Sequence, residues 1–203
     1  MTLSPANTDK RRRPIVQKKR TARLRKARAA RRRLQHDWLA SAVAARDIGL
    51  PIDAQMTVLL GKDDIEDTTA TIWRRLRRLF QRHGIAFLAM RAPEFARNRG
   101  HHLHLAMHLP QHLYGDVASI LADVTGEPMA RWFDVSGRRI GRDYGVVAIA
   151  GNGNWMLQRH VEGLGGSDEA LVRYVAKADA KHKSIGRHQR SFDLTKLTST
   201  RSG

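Results

Sequence analysis

The sequence predicts an α+β fold in which a central, largely antiparallel sheet follows a basic helical arm. Beyond residue 52, short apolar runs of strand length are interleaved with amphipathic segments of helical length. Hydrophobic residues make up 41% of the 203-residue chain, which suffices for one domain of ordinary size and an appendage. Basic residues concentrate at the start, where residues 1–35 carry 14 of the 37 lysines and arginines but one of the 19 acidic residues.

The basic arm covers residues 1–48, and we expect it to be partly disordered and then helical. Residues 1–20 hold two basic clusters on either side of Pro14, a composition that predicts disorder in the free protein. Thr21–Arg46 is rich in Ala, Arg and Leu, which are good helix formers. The second half of this helix carries an apolar face that can pack on the rest of the chain: Leu34, Trp38 and Ala42.

The domain covers residues 52–185, and its first half reads as strand, helix and strand: Gln55–Leu60, Thr68–His83 and Ile85–Met90. The helix has one apolar stripe, and five arginines cover its exposed side: Arg74, Arg75, Arg77, Arg78 and Arg82. These arginines fit phosphate contacts and a solvated helix face equally well. Ala92–Arg99 reads as a polar connection to the next strand, so we expect the two strands that it joins to pair antiparallel.

The side chains of the strand over residues 100–110 divide into two faces, because successive residues of a strand point to opposite sides. The strand ends at Pro110. One face is apolar apart from its first residue: His101, Leu103, Leu105, Met107 and Leu109. The other face carries three imidazoles: those of His102, His104 and His108. A buried sheet has no structural reason to collect imidazoles on one face, so this strand is the first candidate functional element.

The spacing of the first two of these histidines suits a shared metal ion. Residues i and i+2 of a strand lie roughly 6.6 Å apart, so His102 and His104 can each place a nitrogen about 2.1 Å from one ion. His108 lies roughly 13 Å along the strand from His104 and should not reach that ion. The alternative is a pair of histidines held by ordinary hydrogen bonds on the surface or in the core.

In the second half of the domain, the sequence predicts a helix after Pro110 that ends at about Val124. Four further elements are expected: strands Met129–Val135 and Gly145–Ala150, a short helix Trp155–Glu162 and a helix Ser167–Lys181. On the last helix, Tyr174 lies near Lys177 and Lys181, three and seven residues later. Residues 186–203 form a polar tail. Helices interleaved with a mostly antiparallel sheet suggest a sandwich of ferredoxin-like type.

The histidine strand and the tyrosine helix together resemble those of the HUH endonucleases, and more closely the rolling-circle replication initiators of bacterial plasmids and phages. His102-Leu103-His104 matches the metal-binding motif of that family, and Tyr174-Val175-Ala176-Lys177 matches its nucleophile motif. Glu94 stands eight residues before His102, where many members keep a third metal ligand. The chain departs from the pattern at Met56–Leu60, which fits the first strand motif poorly. It also has Ala178 where two-tyrosine members carry their second tyrosine.

The resemblance implies an enzyme that nicks and joins single-stranded or hairpin DNA at a replication origin in the bacterial cytoplasm. Glu94, His102 and His104 would hold a divalent ion, Mg²⁺ or Mn²⁺. Tyr174 would form a 5′-phosphotyrosine, with Lys177 lowering its pKa or holding the phosphate. A host helicase is a candidate partner. A single-tyrosine transposase or a relaxase has the same motif order and stays an alternative.

The net charge of +18 favours a polyanionic partner independently of the resemblance. We expect DNA contacts from basic side chains of the arm, of the Ala92–Arg99 connection and of the last helix: Arg11, Arg12, Arg13, Lys18, Lys19, Arg20, Arg97, Arg99 and Lys181. The alternatives are a solvated arm and a non-catalytic nucleic-acid-binding protein with incidental or zinc-binding histidines. The sequence has no cysteine and no apolar run of membrane-spanning length, so we expect a soluble cytoplasmic protein with no membrane partner.

Overall fold

The computed structural model describes residues 9–60, 65–96, 100–142, 144–160, 168–177 and 189–190; within these ranges it describes only the backbone of residues 9–20, 27, 28, 31, 96, 168, 169, 177, 189 and 190. Its helices are α1 (Asp9–Asp47), α2 (Ile65–Arg82), α3 (Tyr114–Thr125) and α4 (Asp168–Lys177), with a 3₁₀ turn at Gln111–Leu113. Its strands are β1 (Ala54–Leu60), β2 (Ala89–Ala96), β3 (Gly100–Met107), β4 (Arg131–Phe133), β5 (Arg139–Ile140), β6 (Ala148–Ala150), β7 (Trp155–Arg159) and β8 (Gln189–Arg190).

The eight strands form one sheet in the order β5-β4-β6-β7-β1-β3-β2-β8. Every pair of neighbouring strands is antiparallel. The predicted α+β class and the antiparallel character of the sheet are therefore confirmed. Strand β3, which carries the histidines, is an interior strand of the sheet and lies between β1 and β2.

Helices cover both faces of the central strands. On one face, α2 and α3 pack against alternate side chains of β1 and β3, including Met56, Val58, Leu103 and Leu105. On the other face, the C-terminal half of α1 and helix α4 pack over Ala106 and nearby residues of β2. Burial of apolar surface on both faces fixes the register of β3, because a shift by one residue would turn its histidines into the α2–α3 core.

Helix α1 confirms the predicted apolar face of the arm. Trp38, Ala42 and Ala45 are buried against α4, and Leu34 packs at the edge of the same cluster. The helix begins at Asp9, earlier than the predicted start at Thr21. Pro14 lies in its second turn, where proline removes one intrahelical hydrogen bond, and the helix formers that follow continue the helix.

The predicted short helix at Trp155–Glu162 is wrong over its described part. Residues Trp155–Arg159 form β7, which pairs with β1 on one side and β6 on the other. Trp155 and Leu157 are buried and Met156 is exposed, so the period is that of a strand, and two neighbouring strands satisfy its backbone groups.

The second predicted strand is displaced along the chain. It was expected at Ile85–Met90, but β2 runs from Ala89 to Ala96 and takes in most of the predicted polar connection. The reason is the long pairing with β3, which extends from Ala89 opposite Met107 to Ala96 opposite Gly100. In the described parts of the chain, no helix is both long and apolar enough to span a membrane.

Candidate metal centre

The pairing of three strands brings the candidate ligands together. Glu94 on β2 lies directly opposite His102 on β3, and Thr57 on β1 lies directly opposite His104. All four residues point to the sheet face that α4 covers, because they alternate with side chains of the α2–α3 core. The predicted ligands His102, His104 and Glu94 therefore meet at one place. They do so because Glu94 belongs to a strand and not to a loop.

The three side chains each place a ligand atom in the same small buried space. Glu94 Oε2 lies 3.1 Å from His102 Nε2 and 3.2 Å from His104 Nε2. The side chains are only 6–7% exposed. The ligand atoms of all three residues lie within 4.8 Å of one another, and no other such group of three occurs among the described residues. His108 stays outside this group, as predicted, with its Nδ1 2.9 Å from the carbonyl oxygen of Pro51.

Both ring nitrogens of His102 lie beside oxygen atoms that can only accept a hydrogen bond from them. Its Nδ1 lies 3.2 Å from the carbonyl oxygen of Gly100 and its Nε2 lies 3.1 Å from Glu94 Oε2, so the single N–H of a neutral ring can be donated to only one of these oxygens. When that proton is on Nδ1, Nε2 is an unprotonated acceptor directed at a carboxylate, which is also an acceptor. Two buried acceptors at 3.1 Å require a cation or an additional proton between them.

His104 has an equivalent support. Its Nδ1 lies 3.1 Å from the hydroxyl oxygen of Thr57, which can accept a hydrogen bond from Nδ1–H and so leave Nε2 unprotonated as a ligand atom. Histidines that bind metals usually donate their second ring N–H in this way, to a carbonyl, a carboxylate or another acceptor. The His102 and His104 rings are nearly perpendicular, with centroids 4.8 Å apart, so they approach the shared space from two directions.

These residues fit a metal ion by donor type and spacing. Two imidazole nitrogens and one carboxylate oxygen form a common donor set for divalent transition metals. Neighbouring ligands of an octahedral ion with bonds of about 2.1 Å are roughly 3.0 Å apart. The observed separations of 3.1 and 3.2 Å are close to that value. The buried Glu94–His102–His104 cluster could hold one metal ion.

Tyr174 lies beside this cluster. Its ring contacts that of His104 edge to face, with centroids 5.3 Å apart. Helix α4 holds it there through four buried side chains that pack on the sheet and on α1: Leu171, Val172, Val175 and Ala176. Tyr174 itself remains 49% exposed, so it is not a core residue.

The other two tyrosines of the chain are poor candidates for a nucleophile at this centre. Tyr114 is buried, and its hydroxyl lies 2.8 Å from the carbonyl oxygen of Val147, to which it donates. Burial raises the pKa of Tyr114 well above its usual range, which disfavours a phenolate. Tyr144 is 74% exposed and lies beside the β4–β5 hairpin, four strands away from β3.

Several predicted site residues lie partly or wholly outside the described residues. The backbone of Lys177 ends α4, but its side chain is not described. The same applies to six arm residues within α1: Arg11, Arg12, Arg13, Lys18, Lys19 and Arg20. Three further predicted DNA contacts lie wholly outside the described ranges: Arg97, Arg99 and Lys181. Their roles stay predictions.

Two supporting residues were missed by the sequence analysis. Thr57 faces away from the α2–α3 core, and this position can be read from the alternation of β1, but its contact with His104 depends on the strand register. Gly100 has φ +72°, in the left-handed region that favours glycine, and it presents its carbonyl to His102. A glycine just before a histidine strand is a weak signal without the structure.

Comparisons of the chain with protein-family models, with curated proteins and with solved structures find no match. The fold and the candidate metal centre describe the class of the protein. It is an α+β protein whose antiparallel sheet carries a buried His-x-His pair and a glutamate that could bind a metal ion. A half-exposed tyrosine stands beside that centre.

Proposed function

We propose that this protein nicks and rejoins single-stranded DNA through Tyr174, with a divalent metal ion at Glu94, His102 and His104. The observation that carries the proposal is the contact between Tyr174 and His104, which puts a half-exposed tyrosine next to the candidate metal centre. A structural metal site would have no need of such a neighbour. A nuclease with a tyrosine nucleophile needs both groups at one phosphate.

The topology supports the same proposal. Strands β7, β1, β3 and β2 are adjacent in that order, and α2 and α3 follow β1 and β3 onto one face. This order supports the proposal of a split βαβ, or ferredoxin-like, unit, in which β4–β6 would be inserted before the last strand. The centre lies on the opposite face, under α4. The HUH resemblance of the sequence calls for this fold, with the histidines on its central strand.

The proposed reaction uses Tyr174 as the nucleophile and a DNA phosphodiester as the substrate. The Tyr174 oxygen attacks a DNA phosphorus, the new bond is O–P, and the bond to the 3′-oxygen breaks. The phenolic proton passes to solvent, and the departing 3′-oxygen takes up a proton, so the products are a 5′-phosphotyrosine and a free 3′-hydroxyl. Attack by a 3′-hydroxyl reverses the step and rejoins the strand. Lys177, three residues after Tyr174, is proposed to stabilise the phenolate or the phosphate.

The proposed ligand set suits a metal ion that also binds a phosphate. When bound, a divalent ion such as Mg²⁺ or Mn²⁺ supplies Lewis-acid polarisation of a non-bridging phosphate oxygen. Glu94 contributes the negative charge of the ligand set, and Thr57 and Gly100 fix the imidazole rings through their Nδ1 atoms. Because the three ligand side chains are almost fully buried, solvent has little access to them.

The biological setting of the proposal is rolling-circle replication of a plasmid or phage in the bacterial cytoplasm. The free 3′-hydroxyl would prime synthesis, and a host helicase would open the duplex. The basic arm would hold the DNA backbone through Arg11–Arg13 and Lys18–Arg20. A transposase or a relaxase would use the same centre on different DNA.

In the experiment, the protein is incubated with Mn²⁺ and labelled stem-loop DNAs whose loops are randomised. The products are then separated on a denaturing protein gel. We compare the wild type with Tyr174→Phe, Glu94→Gln and, as a matched control, Tyr144→Phe. The proposal expects a covalent band that needs metal and is lost in Tyr174→Phe and Glu94→Gln but kept in Tyr144→Phe. DNA cleavage without a covalent band would mean that water, and not a tyrosine, is the nucleophile. Binding of the DNAs without cleavage by any divalent ion would favour the non-catalytic alternative.

A further inference from the structure

The exposed side of α2 carries a line of guanidinium groups. Arg74, Arg78 and Arg82 follow one another at four-residue intervals, so each is about 6 Å further along the helix axis and rotated by roughly 40°. Arg75 and Arg77 flank this line. All five side chains are at least partly exposed. We call Arg74, Arg78 and Arg82 the α2 arginine line.

A groove between α2 and α3 continues this positive surface. It has a volume of about 520 Å³ and is lined by Arg75, Arg78, Gln81, Arg82 and Ile120. Asp123 partly neutralises it through an ion pair with Arg75 at 2.8 Å. Among the described residues, no carboxylate lies within ion-pair distance of Arg78 or Arg82. The groove therefore keeps a local excess of positive charge.

This surface is separate from the metal centre. Helix α2 packs on the sheet face formed by Met56, Val58 and their neighbours, whereas the three metal ligands lie on the other face. A strand bound at Tyr174 cannot contact the α2 arginine line without passing around an edge of the sheet. The line thus has no part in the chemistry proposed above.

We propose that the α2 arginine line and its groove bind the backbone of duplex DNA without reading its sequence. The proposal rests on the proposed function only in that the partner is DNA. Unpaired bases are bound by exposed aromatic side chains, but Trp73 and Phe80 of α2 are buried. A protein partner or a membrane would need exposed apolar anchors. The large exposed hydrophobic side chains of the described chain all lie outside α2.

The length of the line suits a DNA strand. Arg74 and Arg82 are about 12 Å apart along the helix axis, and phosphates of one strand advance about 3.4 Å each along the duplex. Three arginines with flexible side chains can therefore reach about three phosphates. Each neutralised phosphate contributes about 0.9 to the slope of log affinity against log salt concentration, so the line contributes about 2.7. Between 50 and 200 mM salt, that contribution corresponds to a loss of affinity of about 40-fold.

The test measures fluorescence anisotropy of a labelled, blunt-ended 20-base-pair duplex in EDTA from 50 to 200 mM salt. The full-length wild type is compared with R74Q/R78Q/R82Q, with R74K/R78K/R82K, and with R138Q/R139Q/R142Q, which loses the same charge on the exposed β4–β5 hairpin region. Circular dichroism checks that each variant is folded. The proposal expects the glutamine variant of α2 to lower the salt slope by about 2.7, while the lysine variant retains it.

Two results would overturn the proposal. One is an unchanged slope in R74Q/R78Q/R82Q. The other is an equal fall in the hairpin variant, which would mean that only net charge matters. Covalent band formation on a short single strand is measured in parallel and should be unchanged by the α2 substitutions. A failure of the nicking proposal therefore leaves the duplex measurement interpretable, and the reverse is also true.

Discussion

Replacing Thr57 by valine tests whether the support of His104 matters for metal binding. Valine has nearly the shape of threonine and a high strand propensity, so β1 should form as before. The substitution removes the hydroxyl that lies 3.1 Å from His104 Nδ1. The ring then loses the partner that favours protonation at Nδ1 and presentation of Nε2. Loss of such an outer hydrogen bond typically costs 10- to 100-fold in metal affinity, or about 1.4–2.7 kcal/mol.

The assay is isothermal titration calorimetry with Mn²⁺ on the wild type, Thr57→Val and Thr57→Ser. Serine keeps the hydroxyl, so we expect its affinity to lie within a few-fold of the wild type. Unfolding in urea provides the control for stability, where loss of one partly buried hydrogen bond should cost about 0.5–1.5 kcal/mol. If Thr57→Val binds Mn²⁺ as tightly as the wild type, the argument from ring orientation is refuted.

Three further predictions concern stability. Mn²⁺ at 100 times its dissociation constant should add about 2.7 kcal/mol, raising the melting temperature by about 5–10 °C, and Glu94→Gln should lose most of this shift. Trp38→Ala should lower the free energy of unfolding in urea by about 3–5 kcal/mol, because it opens a cavity between α1 and α4; a loss below about 1 kcal/mol would contradict this packing. Burial lowers the pKa of His160, so its contribution to stability is present above its unfolded value of 6.5 and is lost as the pH falls through the lower folded value. Urea unfolding between pH 7.5 and 5.5 should therefore show falling stability, and a pH dependence unchanged in His160→Gln would contradict the assignment.

The parts of the fold that the sequence predicted well are those with strong local periodicity. Helices α2 and α3 have wide apolar stripes, β1 alternates regularly, and β3 alternates in sequence over His102–Leu105, so their positions follow from local pattern. Residues 155–159 were misassigned because the choice between strand and helix was made by tertiary pairing with β1 and β6. A five-residue segment carries too little pattern to decide this locally.

The candidate site was predictable in composition but not in geometry. Two histidines at strand spacing indicated a shared ion, and Glu94 was placed near them only through a resemblance. Its position opposite His102 depends on how far β2 continues past Met90. That length is set by pairing with β3, and it cannot be read from the polar sequence Ala92–Arg99. Thr57 was missed for a similar reason, since only the β1–β3 register shows that it meets His104.

The most direct test of the account is tandem mass spectrometry of the covalent protein–DNA species formed with Mn²⁺, after digestion with trypsin and nuclease. The account predicts a residual nucleotide linked through phosphate to Tyr174, and no such species when Mn²⁺ is removed by EDTA. A nucleotide on Tyr144, or on a residue other than tyrosine, would contradict the assignment of the nucleophile. Cleaved DNA with no modified peptide would contradict covalent catalysis and leave Glu94, His102 and His104 as the centre of a hydrolytic nuclease.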